Sequence, residues 1–349
     1  MHNDDEIFMR RALQLATAGR AQVSPNPMVG AVIVSDKGKI IGEGFHRRFG
    51  GPHAEVNAVN SVADSTLLKN ATIYVTLEPC SHYGKTPPCA QLLIKCRFRR
   101  VVIGSRDPFP AVSGRGIDML QQAGIEVSVG VLQEECEALN KHFITAHKLQ
   151  RPFVQLKWAQ SSDGFIDGNR LGNTPAGIST PLTSLLMHRQ RAVADAILIG
   201  AATARLDNPT LTTRLWPCRK SPLRVLLDAR LSTPSGCKLF TDGLPTLVYN
   251  LSENSQNGAV CRMLLDTSNL ADMLADLYHR GITSLMVEGG ANVLQQLIDN
   301  HLWDEARVEI GDIILNSGVK APHISGSLIS SIEVGNNRIE WLANNSENN

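Results

Sequence analysis

Apolar residues follow helical spacing in some stretches and strand-like runs in others. Over residues 5–18, Phe8, Ala12 and Leu15 share one helical face and Gly19 stops the run. MVGAVIVSD and KIIGEGFH then read as two strands around an Asp36-Lys37-Gly38 turn. A helix is expected from His53 to Ala63, followed by a strand over ATIYVTLEP. The next helix should open with Thr86 as N-cap and Pro87 at its first position. RRVVIGSRD predicts a strand, Gly116 to Gln122 a helix, IEVSVGV a strand, and 133–149 one more helix. Gln150-Arg151-Pro152 breaks that helix, which places one domain over 1–149 and a second over 150–345. The second half restarts with strands at PFVQLKWAQ, AILIGA, RVLLDA, PTLVYN, SLMVEGG and ARVEIGDIIL, and helices over 181–194 and 291–302. The tail, NNRIEWLANNSENN, is expected to end polar and fray. Strands alternating with helices predict an α/β fold.

Composition narrows the classes. With 43% hydrophobic and 19% charged residues, the 349-residue chain has material for packed cores and is not a disordered one. The net charge is +1, and Lys and Arg number 17 against 14 acidic residues up to residue 148, then 17 against 19 beyond it. Neither half is a basic module, which excludes nucleic-acid binding by general attraction. No apolar run spans a bilayer, and MHNDDEIFMRR has no apolar signal region. Seven cysteines, an odd and scattered set, suit a reducing cytoplasm.

Candidate chemistry concentrates in Pro52-His53-Ala54-Glu55, Pro79-Cys80 and, after eight intervening residues, Cys89. One imidazole and two thiolates leave a tetrahedral zinc one open position for water, as catalytic zinc sites require. Glu55, two residues from His53, is placed to move a proton from that water to a leaving nitrogen without being a ligand. Since residues two apart do not share a helix face, His53 must lie at the helix cap. Taken singly, a His-x-Glu is usually a solvated helix start and two cysteines are usually only thiols. A structural zinc would need a fourth ligand, for which His82 is the near candidate.

PNPMVGAVIV, PHAEVNAV and TLEPCSHYGKTPPC resemble the N-terminal deaminase of the bifunctional riboflavin-biosynthesis deaminase–reductases, and the spacer SHYGKTPP is the feature that makes the match specific. The resemblance implies a three-layer, cytidine-deaminase-like domain. It also implies one Zn2+ held by His53, Cys80 and Cys89, with Glu55 as the catalytic proton carrier. Asn26 would then read the pyrimidine edge, with His46, His82 and Lys85 contacting a phosphoribosylated pyrimidine substrate.

Without resemblance the second half says less. No G-x-G-x-x-G follows its first strand, whereas VEGGANVL gives a strand, two glycines and a helix start able to hold a phosphate. FVQLKWAQSSDG, AILIGAATARLDNPTLTTR, RVLLDA and VEGGANVLQQL resemble the reductase half of the same family, which implies a dihydrofolate-reductase-like domain using NADPH. Its cofactor contacts would be Lys157, Ala159, Thr203, Asp207, Ala229, Gly290, Ala291, Asn292, Val293, Leu294, Gln295 and Gln296. Its substrate contacts would be Leu211, Glu288 and a guanidinium clamp of Arg191 and Arg214 on the phosphate. After SSDG the stretch GNRLGNTPAGISTP lacks the family's Trp, so Asn173 to Gly177 carry nothing over.

The implied activity is zinc-hydroxide deamination of 2,5-diamino-6-(5-phosphoribosylamino)pyrimidin-4(3H)-one. NADPH would then reduce the ribosyl group of 5-amino-6-(5-phosphoribosylamino)uracil to ribityl. The implied enzyme is cytoplasmic and a homodimer or larger, with no nucleic-acid or membrane partner. Two readings stay open: a zinc deaminase of free nucleotides or tRNA with an inactive or unrelated C-terminal module, and a zinc-stabilised scaffold with dead sites. Glu55 weighs against the scaffold.

Overall fold

The computed structural model describes residues 2–82, 87–109, 113–170, 174–218 and 221–345. The chain forms two compact units, Met1–Leu149 and Gln150–Asn349. In chain order the first contains α1 (His2–Thr17), β1 (Gly30–Val34), β2 (Ile40–Phe45), α2 (Ala54–Asn60), β3 (Thr72–Leu77) and α3 (Cys89–Cys96). β4 (Arg100–Ser105), α4 (Arg115–Gln122), β5 (Glu126–Val129), α5 (Gln133–Leu139) and α6 (Lys141–Leu149) complete it.

The five strands lie in the order β2-β1-β3-β4-β5, antiparallel around β1 and parallel from β3 to β5. β1 and β3 are buried throughout, because helices cover both sheet faces. Ala54, Ala58, Ala90, Leu93, Ile117 and Leu120 of α2, α3 and α4 pack on one face against Ile33, Ile73 and Ile103. Met9 and Ala12 of α1 and Cys136 of α5 pack on the other, against Val32 and Val102. The result is a three-layer α/β/α domain, the architecture that the family resemblance implies.

Two glycines admit close approach. A Cβ on Gly44 would lie 2.3 Å from the Ala58 amide nitrogen and 2.5 Å from the Ala54 carbonyl oxygen, so α2 rests directly on β2. One on Gly116 would lie 2.1 Å from the Pro79 carbonyl oxygen. Gly44→Ala should therefore push α2 off the sheet and cost about 1–3 kcal/mol. Thermal unfolding measures this, and a variant as stable as the parent would show that α2 shifts without penalty.

Several elements depart from the sequence reading. The helix expected over 133–149 is two, because Asn140 leaves it: its side-chain amide donates to the Met28 carbonyl (2.9 Å) and its Oδ1 accepts from the Met28 amide (2.8 Å). Helix α3 starts at Cys89 with Pro88 as N-cap, rather than at Pro87. The Thr86 cap lies outside the described residues. The acidic N-terminus also makes a buried contact that the sequence reading did not foresee. Buried Asp5 accepts two hydrogen bonds from Arg100, each 2.9 Å, and one from Tyr74 at 2.8 Å.

The second unit contains β6 (Phe153–Ser161), β7 (Phe165–Asp167), α7 (Pro181–Arg191), β8 (Ala196–Gly200), α8 (Ala201–Asp207) and β9 (Leu223–Leu227). It continues with α9 (Lys238–Thr241), β10 (Thr246–Asn250), β11 (Ser255–Asn257), β12 (Val260–Leu264), α10 (Leu270–His279) and β13 (Ser284–Gly289). Then come α11 (Ala291–Asp299), β14 (Glu305–Gly311), β15 (Val319–Lys320), β16 (Ser327–Val334) and β17 (Asn337–Ala343). Ten strands form one sheet in the order β11-β12-β10-β9-β8-β13-β6-β14-β17-β16, parallel from β12 to β14. Leu270, Met273, Leu294 and Leu297 of α10 and α11 cover one face over Val154, Leu156 and Val287. Met187, Ala204 and Leu239 of α7, α8 and α9 pack on the other, over Ile197 and Leu226.

Helices α8 and α10 and the strands β11, β12 and β16 were not expected. The tail is ordered where fraying was expected: Asn337–Ala343 is a strand, paired with β14 and with β16 across a Gly335 turn. Helix α7 ends at Arg191, short of 194, and starts from a Thr180–Thr183 capping box.

Candidate active sites

In the first unit, the start of α2, the end of β3 and the start of α3 bring three donors together. His53 is the N-cap of α2 with extended backbone, as the cap argument requires, and Cys89 is the first residue of α3. His53 Nδ1 lies 3.5 Å from Cys80 Sγ and 3.3 Å from Cys89 Sγ. Nitrogen and sulfur on one tetrahedral zinc, at about 2.0 and 2.3 Å, stand roughly 3.5 Å apart, so the donor set fits that ion. The cluster closes at three donors among the described residues. His82, the fourth-ligand alternative, is exposed and outside it. The Cys89 amide donates to Cys80 Sγ (3.3 Å), and the Cys89 side chain, with His53 and that amide, holds the Cys80 thiol below its usual pKa.

Glu55 lies next to this cluster, 3% exposed. Burial, and then the charge of Cys80, push its carboxyl up to about 7. A carboxyl in that range both takes and gives a proton near neutrality. On the other side Asn26 Nδ2 donates to His46 Nε2 (3.3 Å), which leaves His46 Nδ1 to donate to the Pro52 carbonyl (3.0 Å). That pattern needs a neutral ring, and burial does hold the His46 pKa below its usual value. His46 and His53 meet edge to face with centroids 5.5 Å apart. Lys85 lies outside the described residues.

Sequence reading missed three supports. Asn57 donates to the carbonyls of Phe45 (2.8 Å) and Pro52 (3.2 Å), fixing the approach to His53. Glu78 accepts from the amides of Gly114 and Gly116, each 3.0 Å, tying the segment before Cys80 to the start of α4. Asn140 holds Met28, two residues beyond Asn26. Glu78 stands inside the quoted TLEPC run, but nothing in the sequence says which amides it meets.

The second unit gathers its charges on the sheet face that carries α7. Arg191 donates to Glu288 through Nε and Nη2, both 2.6 Å, and through Nη1 to the Thr212 carbonyl at 3.1 Å. Burial alone would raise the Glu288 carboxyl, but the Arg191 charge and its hydrogen bonds outweigh that and hold it below its usual range. Most of the Arg191 fork is thereby committed to protein partners. The exposed Arg214 keeps its backbone amide on His188 Nδ1 (3.1 Å) and its guanidinium on Thr210 Oγ1 (3.3 Å). Burial first, then the nearby arginines, lower His188 to about 4, in keeping with a neutral acceptor. Leu211 is buried between these anchors with φ +52°. Lys157 projects from β6 on the same face, and burial pushes its amine down.

The cofactor candidates frame the ends of the central strands. Thr203 Oγ1 accepts the Gly290 amide (3.0 Å), joining α8 to the turn that opens α11. Asp228 accepts the Ser232 and Thr233 amides (2.9 and 2.8 Å), shaping the turn that carries Ala229. Ala159 lies on β6 opposite Glu309. Asp207 is paired with Arg170 at 2.6 Å. On α11, Val293 and Leu294 are buried in the core, so only their backbones face outward. Gln295 is bound to the His323 backbone and Gln296 to Asn292, while Ala291 opens the helix.

Comparison with known proteins covers both units. Residues 2–105 match the cytidine and deoxycytidylate deaminase zinc-binding region, and residues 152–340 match the RibD C-terminal domain. Riboflavin biosynthesis protein RibD of Aquifex aeolicus is 38% identical over 345 residues, covering 97% of this chain and 96% of the relative. That of Escherichia coli is 37% identical over 334 residues, covering 90% of each. A solved Thermotoga maritima structure, a diaminohydroxyphosphoribosylaminopyrimidine deaminase/5-amino-6-(5-phosphoribosylamino)uracil reductase, superposes with TM-score 0.89 at 38% identity, covering 98% of this chain and 99% of that one.

Proposed function

The chain belongs to the RibD family, the bifunctional deaminase–reductases of riboflavin biosynthesis, and from that premise we propose which of its residues serve each step. In the first unit His53, Cys80 and Cys89 hold zinc. When bound, zinc supplies an activated water for attack on the amino-bearing carbon of the diaminopyrimidinone. Glu55 carries the proton from water to departing ammonia, and its value of about 7 suits both halves of that transfer. Asn26, oriented by neutral His46, reads the pyrimidine edge, and His46, His82 and Lys85 contact the substrate. The observation that carries this half is the three-donor cluster with buried Glu55 beside it.

In the second unit the cofactor is NADPH, which supplies hydride for conversion of ribosyl to ribityl. Lys157, Ala159, Thr203, Asp207, Ala229 and residues 290–296 form its site, with backbone amides at the start of α11 toward its phosphates. Leu211 and Arg214 contact the substrate. Arg191 is held by Glu288, so Arg214 grips the phosphate and the Arg191–Glu288 pair orients the ribosyl arm. The assembly is a homodimer or larger, a reading supported by the outer strand β16, where Leu328, Ile329 and Ile332 stand exposed. A cytoplasmic setting is supported by seven free cysteines and by the absence, among the described residues, of a helix able to cross a membrane.

One assay tests both halves. With the diaminopyrimidinone substrate and NADPH, ammonia release and cofactor oxidation should proceed together. Chelation of zinc should abolish ammonia release, and zinc should restore it, while NADPH oxidation continues on supplied deaminated product. Ammonia release that survives complete metal removal overturns the zinc assignment.

A further inference from the structure

Arg307 is a buried charged side chain for which the two activities give no use. It lies on β14 with 1% of its side chain exposed, and its Nη1 and Nη2 are buried with no hydrogen-bond partner among the described residues. Its nearest ionic partner is Glu309, also 1% exposed, with 3.6 Å between Nη1 and the carboxylate. A guanidinium left so poorly compensated is costly to bury, and burial works against its charge. Glu309 cannot swing closer, because it is already held by Asn337 Nδ2 at 2.7 Å and Ser179 Oγ at 3.1 Å.

The sheet register shows what Arg307 faces. Arg307 stands directly opposite Lys157 on β6, and Val287 opposite Leu156 sets Glu288 of β13 level with Lys157 on its other side. Lys157 thus lies between a carboxylate on one neighbouring strand and a guanidinium on the other. The charges facing it are Glu288 from β13, Arg307 and Glu309 from β14, and Arg191 from α7. Among them Glu288 acts on it most strongly and Arg307 next, with opposite sign.

We propose that Arg307 is a positioning residue of the reduction site: braced by Glu309, its buried guanidinium repels the Lys157 amine from β14 and confines it to the Glu288 side. The proposal rests on Lys157 belonging to the reduction site. Arg307 touches neither substrate nor cofactor; it acts through Lys157. Like charge from Arg307 adds to burial in disfavouring the charged amine, whereas Glu309 opposes that effect.

The test follows the 13Cε signal of Lys157 in lysine-labelled full-length protein without cofactor, assigned by its loss in Lys157→Met. Arg307→Met should raise the proton affinity of Lys157 by about tenfold, while Arg307→Lys leaves it near the parent's. Glu309→Gln should shift it the opposite way, which keeps the proposal testable if Arg307→Met fails to fold. An unchanged titration in the folded Arg307→Met protein, or equal shifts in Arg307→Met and Arg307→Lys, overturns it. Neither result depends on turnover, so failure of the reductase reading would appear separately, as absent NADPH oxidation in the parent.

Discussion

Glu55→Gln is expected to slow ammonia release by about 10²–10⁴-fold while zinc content and reduction of supplied deaminated product stay at parent levels. The substitution keeps the size of the side chain and removes only its ability to take a proton. His53, Cys80 and Cys89 remain as donors, so the metal should stay bound. Burial that sets the carboxyl at about 7 makes Glu55 costly to hold as an anion, so the amide should not destabilise the unit. Zinc content, ammonia release and NADPH oxidation measured on one preparation separate these effects. Ammonia release at the parent rate would remove Glu55 from the mechanism.

Glu288→Gln is expected to cost the second unit about 3–5 kcal/mol at neutral pH, because it leaves the Arg191 charge buried without its anion. The two side chains are only 12% and 8% exposed and joined by two short hydrogen bonds, which sets this pair apart from a surface ion pair. The pH dependence has a definite sign. A carboxyl held below its usual range in the folded chain stabilises above its unfolded value, about 4.3, and that stability fades as pH falls through the lower folded value. The gap between parent and variant should therefore be full at pH 6–7 and close progressively as the pH drops below about 4. All four tryptophans, Trp158, Trp216, Trp303 and Trp341, lie in this unit, so their fluorescence during urea unfolding reports on it alone. A gap that stays constant on acidification would show that the carboxylate charge is not the source of the stability.

Chemistry written into neighbouring residues was legible in the sequence, and chemistry created by pairing was not. His53 with Glu55, and Cys80 with Cys89, sit in short runs whose local structure follows from capping and strand ends, so the cluster of three donors could be anticipated from the sequence. Arg191 and Glu288 are 97 positions apart, and Met28 and Asn140 are 112 apart. Such partners depend on strand order and register, which composition does not encode. Arg307 and Lys157 meet only because β14 lies parallel to β6. The final strand was missed for a different reason. NRIEWLA does alternate, burying Asn337 and Ile339 and exposing Arg338, but its asparagine-rich flanks drew the reading toward an unstructured end.

The two hydrogen bonds between Asn140 and Met28 bear on how much chain a deaminase needs. A fragment ending at Leu139 would retain the whole five-stranded sheet, the metal donors and Glu55, and the match to the zinc-binding region ends earlier still, at residue 105. It would nonetheless lose the side chain that pins the backbone two residues beyond Asn26. The smallest transplantable domain is therefore longer than its signature, and a cut placed by that signature would spare the metal donors and Glu55 while loosening the backbone beside Asn26, the residue proposed to read the pyrimidine edge.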